Sequence, residues 1–202
     1  MIKSIFSISL FLIFFAQINA QNFTKKILEY REKYKSDFLE DTRSPLKEQD
    51  LKFLDFYKPD SSYCFNASIE ILPNEIPYDM ATHSGVTKKY TRYWKLKFEL
   101  KNKEYCLIAY QSQQLINDST YKNYLFVPFN DFTNSSTTYG GGRYIDLNIQ
   151  DATGNKILLD FNKAYNPYCA FAEGYACPIP PAENKLLIEI KAGEKSFLKK
   201  EK

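Results

Sequence analysis

The chain has 202 residues, with 27 lysines and arginines set against 24 acidic residues and one histidine, for a formal net charge of +3. Charges this evenly mixed exclude a dedicated nucleic-acid binder, and a lone histidine without a C-x-x-C pair excludes the common zinc sites, so neither metal nor cofactor is expected. Sixteen tyrosines and sixteen phenylalanines exceed what a helical bundle uses and favour strands.

Residues 1–20 carry one early cation, Lys3, an apolar run from Ile5 to Ala16, and a small residue, Ala20, at the end. That pattern predicts a secretory signal peptide cleaved near Ala20. The run falls short of the roughly 18–20 apolar residues a membrane span requires, and no later stretch is long enough. An exported protein, periplasmic or secreted, is the expectation. The rest of the chain matches one domain of ordinary size.

Residues 21–56 read as a helical brace. Phe23, Ile27, Tyr30, Tyr34 and Phe38 recur at helical spacing, which predicts an amphipathic helix over 22–40. Ser44-Pro45 supplies a capping hydroxyl and a first-position proline for a second helix running to about Leu54.

Residues 57–202 change to a period of two and read as an antiparallel β domain packed with the brace as a single globular unit. Strands are predicted at 63–71, 85–91, 94–100, 105–111, 123–129, 143–149, 156–161 and 185–191. In the clearest, Trp94, Leu96, Phe98 and Leu100 face one way and Lys95, Lys97 and Glu99 the other. About eight such strands close into a β-barrel or split into a β-sandwich.

Asp151-Ala-Thr-Gly-Asn155 reads as a hairpin loop joining 143–149 to 156–161. Alternation then puts Arg143 on the apolar face with Ile145 and Leu147, where a guanidinium requires a carboxylate or an anionic ligand. Asp131, Asp160 and Glu183 are the available acids. Gly140-Gly-Gly142 precedes a strand rather than a helix, which rules out a nucleotide-binding loop. It reads either as a tight turn of positive φ or as a backbone nest that holds an anion with Arg143.

Asp160, Asn162, Tyr165 and Asn166 cluster where a strand ends. They are either ligand groups at a barrel mouth or side chains that fix local Asx-turns. With Arg143, Glu183 and Asn184 they form the candidate site for a small polar or anionic ligand. Enzyme signatures are sparse: G-x-S-x-G and H-E-x-x-H are absent, leaving Asp160 and Glu183 as the acids of an alternative hydrolase reading. A structural or interaction module of the cell envelope is a third reading.

Of four cysteines, Cys169 and Cys177 lie close together among prolines and suit a disulfide in an exported chain. Cys64 and Cys106 sit in predicted strands, either as a second pair or as small core residues.

The stretches Ser44-Pro-Leu, Leu125-Phe-Val-Pro-Phe-Asn-Asp131, Thr138-Tyr-Gly-Gly-Gly-Arg-Tyr144, Asp160 through Cys169, and Cys177-Pro-Ile-Pro-Pro-Ala-Glu-Asn184 resemble the bacterial family called domain of unknown function 1684. The resemblance spans almost all of the chain after residue 20. It implies no reaction and supplies no catalytic residue. It does imply that the motif around Cys169 and Cys177 also occurs in members without export signals, which adds a reactive or site-lining role to the structural one.

Overall fold

The computed structural model describes the backbone of residues 2–198 and the side chains of residues 20–198. Its one α-helix, α1, is Ile2–Glu40. The signal-peptide reading falls outside the described side chains. Among the described residues no helix is long and apolar enough to cross a membrane.

From residue 20 onward α1 behaves as its spacing predicts. Ile27 and Phe38 are buried, whereas Lys25–Glu29 and Lys33–Asp37 pair along the wet face. The second helix is reduced to a 3-10 segment, Glu48–Phe53. Ser44 accepts from the Leu46 amide, and the Asp50 carboxylate accepts from the Lys47 amide. These local bonds satisfy the backbone in one tight turn, and Leu46 and Leu54 pack with Phe38.

Seven strands, all paired antiparallel, form one sheet that curls into a half-barrel. They are β1 (Cys64–Ile71), β2 (Tyr78–Ala81), β3 (Thr87–Leu100), β4 (Lys103–Ser112), β5 (Tyr124–Phe129), β6 (Arg143–Asn148) and β7 (Lys156–Asp160). The order is β6-β5-β4-β3-β1-β7, with β2 attached to β3. Leu96, Leu107, Val127, Ile145 and Leu159 fill the inside of the curl.

Four expectations change. The segments 85–91 and 94–100 are one strand, β3, with a bulge between Arg92 and Trp94. An extra residue there inverts the side-chain alternation, so Trp94 and Leu96 join the inner core while Tyr90 joins an apolar cluster on the outer face. Next, β6 and β7 form no hairpin: β6 pairs with β5, and β7 pairs with β1 at the opposite edge. The Asn148 side chain accepts from Gln150 and starts a 3-10 turn over Ile149–Asp151, which leads the chain across the open side instead. The short strand β2 was not anticipated.

Lastly, 185–191 is not a strand; it makes one bridge, Asn130 to Lys185, and inserts Leu186 and Ile190 into the core. The reason lies one residue earlier. Strands β4 and β5 share only the pair Tyr110–Phe126, and beyond it the Asn184 amide takes the place of a ladder. It accepts from the Ile108 amide at 2.7 Å and donates to the Ile108 and Pro128 carbonyls at 2.9 and 2.6 Å.

Gly142 leads into β6 with φ +90, and a Cβ there would lie 2.8 Å from the Phe129 carbonyl oxygen and 2.6 Å from the Pro180 ring. The turn therefore requires glycine. Gly142→Ala is expected to cost roughly 1–3 kcal/mol, read as a lower denaturant midpoint at unchanged slope.

Candidate functional site

Arg143 is fully buried. Its guanidinium pairs with Asp131 at 2.7 Å and donates to the carbonyls of Ile190, Ala192 and Glu194. Alternation had placed it on the inner face, and Asp131 is one of the three acids available to it. The acceptors it uses all belong to the protein.

Asn162 exchanges hydrogen bonds with the Asp60 backbone, and Asp160 accepts from the Asn162 amide and side chain. Asn166 donates to Lys195 and, through its backbone, to Glu194. Asn184 spans β4 and β5, as described above. Arg143, Asp160, Asn162, Asn166 and Asn184 are each at most 4% exposed. Glu183 lies on the outer face, where it accepts from Arg92 at 2.8 Å and from Tyr110 at 2.6 Å. Asp160 sits on β7 at the far edge, with β1 and β3 between it and Tyr110 on β4. The fold does not bring these two acids together.

Cys169 and Cys177 form a disulfide pair. Cys64 and Cys106 are free, on β1 and β4 with β3 between them. Burial and the nearby Asp160 charge push the Cys64 thiol up to about 11. Among the described residues no group of three or more metal-ligating side chains converges.

A concavity does form on the outer face of the sheet. Its floor is Lys88 and Tyr90 of β3, Tyr124 and Phe126 of β5, and Tyr144 of β6; its wall is the chain from Tyr165 to Pro178, held by the Cys169–Cys177 pair. Arg43 and Leu115 lie at the rim, and the cavity measures about 470 Å³. Of the residues proposed from sequence for ligand binding, Tyr165 lines it. Tyr165 and Tyr168 also line a second cleft of about 250 Å³ that continues beneath α1.

Most hydroxyls around this cavity are engaged. Tyr144 donates to the Pro178 carbonyl, Tyr168 to Asp41, and Tyr175 to the Arg43 carbonyl. Tyr124 and Tyr165 both donate to Asp146, at 2.8 and 2.7 Å. Protein crowds that carboxylate even though the clefts keep it open to solvent; the lost hydration raises its pKa, and the two phenols pull it back.

Two polar groups of the floor have no partner among the described residues, the Lys88 ammonium and the Tyr90 hydroxyl. Lys88 is half-buried and forms no ion pair among the described residues. Burial and the Arg43 charge hold its pKa below the ordinary lysine value. The Tyr90 ring stacks on Phe126, and burial pushes its hydroxyl up to about 12, so it remains a donor at neutral pH. Sequence reasoning missed both. Alternation read backward from Trp94 places Lys88 and Tyr90 on the core face; only the bulge turns them outward.

These features define a small, mainly antiparallel β protein, braced by an N-terminal helix and carrying an aromatic cleft on its outer face. A family model described as "Protein of unknown function (DUF1684)" matches residues 49–195, and the chain belongs to that family. It is similar to an uncharacterized protein of Haloarcula marismortui solved by NMR in solution, with 29% identity, a TM-score of 0.69, and coverage of 90% of this chain and 98% of that one. No curated protein matches.

Proposed function

We propose that the protein binds a small anion with a flat, apolar body in the outer-face cleft, with Tyr165 as the contributing member of the set read from sequence. The observation that carries this reading is a cavity walled by aromatic rings whose floor presents an unpaired, half-buried ammonium at Lys88. A volume of about 470 Å³ suits a drug-sized molecule. Rings accept a planar body by stacking, and the positive charge of Lys88, with Arg43 and its partner Asp41 at the rim, favours a negative group near the mouth. The buried asparagines and Arg143 form the frame that fixes the walls. Export remains part of the proposal, and the Cys169–Cys177 pair supports it, because such pairs persist in oxidising compartments.

Calorimetric titration with a panel of aromatic carboxylates and phosphates tests the reading. At least one should bind, and Lys88→Gln should weaken it by about tenfold or more, equivalent to about 1.4 kcal/mol, without lowering the melting temperature. Equal affinity in Lys88→Gln, or no binding across the panel, overturns it.

A further inference from the structure

We propose that Lys88 is a reacting amine that condenses with the carbonyl group of an apolar oxo acid held in the cleft, with the Tyr90 hydroxyl relaying the proton. The inference rests on the cleft being the ligand site and goes further by naming the chemistry there.

Three observations support it. Among the described residues Lys88 has no carboxylate within ion-pair distance, and the charge that lowers its pKa is another cation, Arg43, which itself pairs with Asp41. A desolvated lysine beside a second positive charge loses its proton more readily, and the free amine is the nucleophile. The second is position: Lys88 and Tyr90 are two apart on one side of the bulge, so both side chains leave the same face of β3 with roots about 7 Å apart. The third is that the Tyr90 hydroxyl donates to no group among the described residues and remains protonated at neutral pH.

The step balances without an added co-reactant. The Lys88 nitrogen lone pair attacks the carbonyl carbon, forming a C–N bond as the C=O π pair moves onto oxygen. That oxygen takes the Tyr90 proton, and Tyr90 recovers one from the nitrogen, leaving a neutral carbinolamine. Tyr90 then protonates the hydroxyl, which leaves as water as the nitrogen lone pair forms the C=N bond, and the remaining N–H proton returns to the Tyr90 phenolate, so amine plus carbonyl becomes imine plus water. Arg43, which pairs with Asp41 at 3.4 Å, lines the rim and is the guanidinium assigned to the carboxylate of the acid, in exchange for Asp41.

The test uses phenylpyruvate, which combines ring, carbonyl and carboxylate. The full-length protein is incubated with phenylpyruvate and cyanoborohydride, which delivers hydride to the imine carbon and fixes a secondary amine. Fragment-ion sequencing then separates Lys88 from Lys89, a built-in control on the opposite face that is paired with Asp79. Lys88 is expected to be labelled about ten times faster than Lys89 or more. Lys88→Arg should abolish this label while calorimetry still detects phenylpyruvate, and Tyr90→Phe should slow labelling at unchanged affinity. Binding with indiscriminate labelling overturns the imine step and leaves the ligand reading standing. Neither binding nor selective labelling overturns the imine inference together with the phenylpyruvate form of the ligand reading.

Discussion

Arg143→Ala is expected to destabilise the protein by about 3–5 kcal/mol, the scale on which a buried ion pair loses one partner. The substitution strips Asp131 of its counter-ion in a site where both side chains are fully buried. It also removes the donor from the Ile190, Ala192 and Glu194 carbonyls, and each unsatisfied buried acceptor adds a desolvation penalty. Urea denaturation should show the loss as a lower midpoint at constant slope. A double variant, Arg143→Met with Asp131→Leu, separates the contributions. Without a stranded carboxylate it should recover part of the loss, but not all, because the three carbonyls still lack a donor. A drop below 1 kcal/mol in the single variant would mean that water or rearranged groups replace the guanidinium at little cost.

The second large effect is a dependence on pH. Glu194 is fully buried; one carboxyl oxygen accepts from Tyr34 at 2.9 Å and from the Asn166 amide at 2.8 Å, and the other has no donor among the described residues. Burial pushes its pKa up from 4.5 to about 7, although the bonds from Asn166 and Tyr34 and the Arg143 charge pull the other way. The proton of the neutral form belongs on the oxygen without a donor. Below pH 4.5 folded and unfolded states both hold this proton, so Glu194 adds no slope. Between 4.5 and 7 the folded state holds it and the unfolded state releases it, so stability falls as pH rises. Above 7 the cost is complete, about 3 kcal/mol. The wild type should therefore melt at a higher temperature at pH 5 than at pH 8, and Glu194→Gln should remove most of that difference. An unchanged slope in Glu194→Gln would assign it to another group, such as Asp146, whose pKa is also raised.

What could be read from the chain depended on how local the cause was. The Trp94–Leu100 face follows from alternation alone, and the same rule put Arg143 inside with a need for a carboxylate that Asp131 meets. The cleft was hidden for the same reason turned around: one extra residue near Tyr93 reverses the phase, and nothing in the composition of 87–93 announces it. Asn184 was read as part of the candidate ligand set. Its use here depends on β4 and β5 parting after one shared pair, a property of three segments distant in sequence. Likewise, the hairpin expected between 143–149 and 156–161 was locally reasonable but gave way to better edges on β5 and β1.

The bonds from Asn184 and Arg143 also set a timetable. Both join β4, β5 and β6 to residues 184–194, so these strands cannot be locked until that later segment is available. Contacts this far apart in sequence slow folding. A chain emerging N-terminus first therefore keeps β4, β5 and β6 without these bonds until residues 184–194 have emerged.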